Sequence, residues 1–285
     1  MSLLEQQLAL PAVQNAFLSG LVVALVAGFV GYFVVIRGLT FAGHALADIG
    51  FAGAAGALVV GCPPFYGLLA FTTVAAVAIG LLGRRVSERS VTIGIVLVTA
   101  VGIGYLFVTL YHGYAASAYS ILFGNILGIS RGQVLITVLL GAVVSLVLLI
   151  VFRPLLFCSY DPEAAAARGV REAWISVLFL VLLAITVTIA VPIVGALLIF
   201  TLLIGPPATA IRLVSRPGHA ILLSMGLAST YAWVGMLLSL QAFDGRFPAT
   251  FYIATLSFGV YLLVRMLPDR WMGWGLGRRH RRQLA

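Results

Sequence analysis

The chain has 285 residues, of which 62% are hydrophobic and 9% charged, with a mean hydropathy of +1.15. Soluble domains carry roughly 45–50% apolar and about 25% charged residues, so a soluble globular fold is excluded and a polytopic, all-α membrane protein is expected. The net charge is +9, all 17 basic residues are Arg, and the two cysteines, Cys62 and Cys158, lack CxxC spacing and give no disulfide framework.

The opening "MSLLEQQLALPAVQNAF" has no basic n-region and no small-residue cleavage site. It therefore reads as no cleaved signal peptide, with the first span directing insertion. About 20 apolar residues cross a hydrocarbon core of roughly 30 Å. On that rule the chain holds about nine spans (eight to nine). They are Val13–Ile36, Leu39–Val60, Phe65–Gly83, Val91–Tyr111, Gln133–Phe152, Ala173–Ala190, Ile193–Leu213, His219–Leu240 and Pro248–Leu267. The piece "AASAYSILFGNILGI", Ala115–Ile129, is too short to span alone and reads as a re-entrant or interfacial helix. No polar block is long enough for a second domain, so residues 1–285 form one membrane domain with a basic tail at 268–285.

The arginines are distributed unevenly. With the N-terminus outside, Arg131 and Arg246 alone face out; Arg37, Arg84, Arg85, Arg89, Arg153, Arg168, Arg171, Arg212, Arg216, Arg265 and the tail arginines face the cytoplasm. This asymmetry predicts an outside N-terminus and a cytoplasmic C-terminus. It also accounts for the net charge without nucleic acid. Trp271 and Trp274, after the last span, fit an interfacial belt.

The second span, "GLTFAGHALADIGFAGAAGAL", carries His44 and Asp48 at i, i+4, so a helix places both on one face. Gly43, Gly50 and Gly53 surround them with many alanines, and small residues let helices approach closely or leave room for a pathway. Ionisable groups within a membrane are costly and face the bundle interior or water. An imidazole and a carboxylate suit a divalent transition metal. They equally suit a proton relay, or a hydrogen bond that pins two helices. Two donors are too few for a closed metal site, so other spans or a second copy would have to complete it.

The longest cytoplasmic loop contains "DPEAAAARG". Asp161 fits an N-cap, Pro162 the first helical position, Glu163 the first turn, Arg168 the end and Gly169 the C-cap. A short, well-capped helix between spans suits either a grip for another protein or a helix lying on the bilayer.

These stretches together resemble the membrane permeases of bacterial ABC importers for zinc and manganese. "GHALADIGFAG" is similar to that family's G-D-A-L-S-H-x-x-L-P-G. "YDPEAAAARGV" is similar to F-D-P-E-x-A-x-x-x-G-[IV]. "VPIVGALLIFTLLIGPPATAIRL", residues 191–213, is similar to V-G-x-L-L-[IV]-x-A-L-L-[IV]-x-P-A-A-x-A-R, and "LFGNILGIS" adds a weaker match. Three departures stand out. His44 and Asp48 are transposed relative to the family's Asp and His, which shifts each ligand by about 6 Å along the helix. Ala52 replaces a common Pro, and Pro206–Pro207 replaces Pro–Ala, where a proline late in a span kinks it or loosens its last turn.

The resemblance implies a homodimer with the pathway on the shared axis, two ABC ATPase subunits below, an extracytoplasmic metal-binding protein above, and a place in the bacterial inner membrane. His44 and Asp48 would be transient metal ligands or a gate, with Gly43, Gly50, Gly53, Pro206 and Pro207 packing along the pathway. Residues 161–170, with Asp161, Pro162, Glu163, Ala167 and Gly169, would form the coupling helix gripped by the ATPase. The chain itself would be no enzyme and hold no cofactor; ATP and Mg would sit on the partner ATPase. A P-loop ending GK[ST] is impossible without lysine, and no HExxH is present. Histidine tilts the expected metal towards zinc, with manganese next, since Asp suits manganese as well. Rival readings are import of iron or a metal chelate, and a stand-alone proton-coupled carrier, which would need no ATPase grip.

Further residues have ordinary explanations. His112 belongs to an interfacial aromatic cluster, and Glu88, His219 and Asp244 to solvated ends or loops. His280 lies in a tail suited to anionic lipid or the ATPase.

Overall fold

A computed structural model of the chain describes residues 10–83, 86–111, 124, 128–241 and 248–267. The Trp271–Trp274 belt, the basic tail and most of Ala115–Ile129 lie outside them. Among the described residues every regular element is a helix: α1 (Pro11–Ile36), α2 (Thr40–Val60), α3 (Pro64–Leu82), α4 (Val86–Leu110), α5 (Arg131–Ile150), α6 (Phe152–Tyr160), α7 (Pro162–Ala167), α8 (Glu172–Val194), α9 (Ala196–Leu213), α10 (Pro217–Gln241) and α11 (Ala249–Met266). In hydrocarbon each backbone N–H must find its partner inside its own segment, which a helix provides.

Eight of these helices, α1–α5, α8, α10 and α11, are long and apolar enough to cross a bilayer. α9 is the shorter apolar helix, and with it the count meets the sequence expectation of eight to nine. The chain is a multi-pass membrane protein. The boundary between its sixth and seventh spans differs from expectation. α8 runs on through Pro192 to Val194, and the chain turns at Gly195, whose φ of 89° suits glycine. Gly124 packs against the backbone at Ile193–Gly195. The fifth span also ends early. Val151 closes α5, and a separate helix, α6, occupies what reads as loop in the sequence.

α1, α2 and α8 are mostly buried, whereas α4, α5 and α11 point large apolar side chains such as Val98, Tyr105, Leu139, Leu146 and Phe258 outward. Small residues allow the close crossings in the core. A Cβ on Gly53 would strike the Gly67 carbonyl and the Phe71 side chain, and one on Gly104 would strike Ala52, so α3 and α4 both press on α2. Gly31 of α1 meets Leu203 and Pro207 of α9, and Gly28 meets α10 at Ser224 and Met225. Polar groups add interhelical links. The Thr72 and Thr188 hydroxyls meet at 2.9 Å between α3 and α8, and Ser224 Oγ donates to the Gly28 carbonyl at 2.8 Å.

The two ends of the bundle differ. At the base, Arg37 of α1 reaches Ser159 of α6 and Ser176 of α8. At the opposite end Asn15 donates to the Ile129 carbonyl, just before the Ser130–Gln133 capping box that opens α5.

Gly53→Val should destabilise the protein by about 1–3 kcal/mol through overpacking. Gly226→Ala, with no atom within 4 Å of its Cβ, should be neutral or slightly stabilising. Thermal unfolding of both variants in detergent checks the contrast.

Candidate functional site

α2 enters the bundle from the base. The α1–α2 corner is a tight cap in which Gly38 (φ 66°) donates to the Val35 carbonyl and Leu39 to the Val34 carbonyl. His44 follows one turn inside α2 and Asp48 one turn further. His44 Nε2 and Asp48 Oδ2 lie 3.6 Å apart, within ion-pair reach but beyond a hydrogen bond. The side chains are 38% and 31% exposed, so the pair opens onto a lateral face of this single chain. The His44 ring packs beside Phe200 of α9, centroids 5.1 Å apart, and its Nδ1 is buried without a hydrogen-bond partner.

No third His, Cys, Asp or Glu joins the pair among the described residues. One chain thus presents two donors on an open face. The small residues around them divide by direction. Gly43 faces Leu203 of α9 at 3.7 Å, on the side of the crossing with α9. Gly50 and Gly53 face Leu68, Thr72, Gly67 and Phe71 of α3, roughly opposite to His44 around the helix. Pro206 and Pro207 are buried, and Pro207 fits against Gly31 of α1. His219 and Cys62 are exposed. His112, Asp244 and His280 lie outside the described residues, as does the Glu88 side chain.

The second feature sits at the base. Asp161 Oδ1 accepts the Ala164 amide at 2.9 Å, Pro162 opens α7, and Glu163 lies in its first turn. The helix is shorter than the expected 161–170. Arg168 takes the C-cap and Gly169, at φ 81°, follows it, with Gly169 donating to Ala166 and Val170 to Ala165. Ala165 is buried, whereas Asp161, Pro162, Glu163, Ala167 and Gly169 are exposed together. The Arg168 guanidinium lies 5.3 Å from the Phe157 ring and holds the end of α7 to α6.

Sequence reasoning missed what holds this segment to the bundle. Arg37 Nη2 donates to Ser176 Oγ at 2.6 Å and Nη1 to Ser159 Oγ at 3.4 Å, and its guanidinium lies 5.8 Å from the Phe179 ring. The buried Tyr32 hydroxyl meets that of Tyr160 at 3.2 Å. Beside them Cys158 is buried, which pushes its thiol pKa up, with the Arg37 charge opposing. The only available sequence signal was the arginine at a span end, which orientation alone explains.

The profile of the ABC 3 transport family matches residues 9–267. The chain belongs to that family. It is a membrane permease subunit, a transport component rather than an enzyme. It is 32% identical over 214 residues to the manganese transport system membrane protein MntC of Halalkalibacterium halodurans, covering 74% of this chain and 73% of the relative. It is 31% identical to the manganese import system permease protein ScaB of Streptococcus parasanguinis, covering 79% and 80%. Among solved structures, PsaBC from Streptococcus pneumoniae in complex with Fab superposes with a TM-score of 0.81 at 26% identity, covering 99% of this chain and 98% of that one. A metal-chelate type ABC transporter in an inward-facing conformation shares the fold, with a TM-score of 0.74 at 21% identity over 94% and 92%.

Asp161→Ala should cost α7 about 1 kcal/mol, roughly a fivefold loss of protection. Hydrogen exchange should show that acceleration at Ala164 and leave α1 and α8 unchanged.

Proposed function

We propose that this permease imports a divalent transition metal, manganese ahead of zinc, from an extracytoplasmic binding protein into the cytoplasm, driven by ATP hydrolysis on a partner ATPase. The observation that carries the reading is the His44–Asp48 pair on an open face of a central membrane helix. An imidazole and a carboxylate are fitting donors for such a cation, and membrane carboxylates exposed on one face need a partner. The manganese named in two relatives supports that metal over zinc, the metal that histidine alone would favour.

The pair is half a site. A second copy, its α2 facing this one across a two-fold axis, would add one imidazole and one carboxylate and complete four donors. Donors divided between two chains separate when the chains move, which suits transient holding and release. The base of the bundle would face the cytoplasm, as the arginine distribution implies. There the exposed Asp161–Gly169 segment would sit in a groove of the ATPase, one ATPase to each permease. Nucleotide and Mg would stay on that subunit. The exposed apolar faces of α4, α5 and α11 are suited to lipid.

The test is uptake by proteoliposomes holding the permease with its ATPase, supplied with the metal-loaded binding protein. His44→Ala and Asp48→Ala should each lower manganese uptake at least tenfold while the ATPase still co-purifies. Wild-type uptake in both variants would return the pair to a purely structural role. Uptake of manganese against zinc in the same vesicles decides the metal.

A further inference from the structure

We infer that Arg37 is a positioning residue, a strut that carries displacement of the α6–α7 segment to the start of α2, where His44 and Asp48 lie. The inference rests on the reading of α7 as the helix gripped by the ATPase.

An arginine that merely marks the cytoplasmic end of a span needs only its charge near headgroups. Arg37 is used differently. Its planar fork turns inward to two neutral hydroxyls on different helices, Ser159 on α6 and Ser176 on α8, and lies over Phe179. A guanidinium spans the two hydroxyls with separate nitrogens of one rigid fork, whereas an ammonium has to reach both from a single point. Tyr32, from the same end of α1, meets Tyr160. α1 thus holds two consecutive residues, Ser159 and Tyr160, immediately before Asp161, the N-cap of α7. Aromatic contacts stiffen the junction: Phe33 of α1 packs edge-on to Phe152 of α6 and Phe179 of α8, centroids 5.9 and 6.1 Å apart.

On the other side of Arg37 there is no slack. The capped corner at Gly38 and Leu39 joins α1 directly to α2, and Leu39 is buried. His44 lies one turn into α2, about 6 Å of rise from Thr40. A shift of α6 therefore has a continuous, packed route through Arg37 and the corner to the donor pair. The polar contacts of Ser159 and Tyr160 with α1 tie the docking segment to this route, alongside the Phe152–Phe33 and Arg168–Phe157 contacts.

The experiment uses the complete permease–ATPase complex in proteoliposomes with manganese-loaded binding protein, and reads manganese ions moved per ATP hydrolysed, ATPase co-purification and thermal midpoint. Arg37→Lys, and the double variant Ser159→Ala/Tyr160→Phe, which leaves Arg37 in place, should each lower the metal-to-ATP ratio at least fivefold with the ATPase still bound. The midpoint of the double variant should stay within a few degrees of wild type. If the ratio stays at the wild-type value in the double variant, the inference is overturned, whatever happens to stability. A merely structural role would lower uptake and hydrolysis together and leave the ratio intact. Glu163→Arg/Ala167→Arg, both at exposed positions, tests the reading beneath. If the ATPase stays bound to that variant, the docking reading fails. If it is lost while the Ser159/Tyr160 variant keeps the wild-type ratio, only the strut fails.

Discussion

The structure depends on how closely other helices approach α2. Gly53 and Gly67 bring α3 onto it backbone to backbone, and Ala52 receives Gly104 of α4. Lipid tails are as apolar as the helix surfaces, so association here comes from packing rather than from exclusion of water. Small residues are what make that packing deep enough. The consequence is directional. With α3 and α4 gathered on its glycine- and alanine-rich side, α2 is held firmly and still turns His44 and Asp48 to an open face.

That arrangement leaves the polar pair in need of cover. Burying an imidazole and a carboxylate on all sides would demand partners that one chain does not supply, and a lone buried charge costs several kcal/mol or more. The pair is about one-third exposed on this chain, so a second protein surface or water has to cover it to avoid that cost. The Phe200 ring packs against the imidazole on one side, while Nε2 lies towards Asp48.

The spans, the helical class and the caps of α7 were legible in the sequence because each follows from local composition: apolar length, or Asp–Pro at a helix start and glycine just past its end. The His44–Asp48 face was legible from i, i+4 spacing alone. What escaped was set by tertiary contact. "RPLLFCSY" has little hydropathy to mark it as helical, and α6 is fixed by Phe152 against Phe33 and by Ser159 and Tyr160 against α1. The α8–α9 corner reads as a break at Pro192, yet the helix runs two residues past it at the cost of one backbone hydrogen bond and turns at Gly195, which supplies the positive φ. Gly50 and Gly53 read in the sequence as small residues packing along the pathway. The helical period puts them on the α3 side, which residue type alone does not distinguish.

The transposed order of histidine and aspartate also acquires a physical sense from the position of α2. Counting from the base, the imidazole comes first and the carboxylate one turn further in. On the proposed reading, with the base towards the cytoplasm, a cation moving inward would meet the carboxylate before the imidazole. On that reading the last donor of the pair would be an imidazole, which binds a cation through a lone pair and carries no negative charge. The donor set is the same in either order. The order would change the final step, where an imidazole would yield a cation to water at lower electrostatic cost than a carboxylate in the same low-dielectric setting.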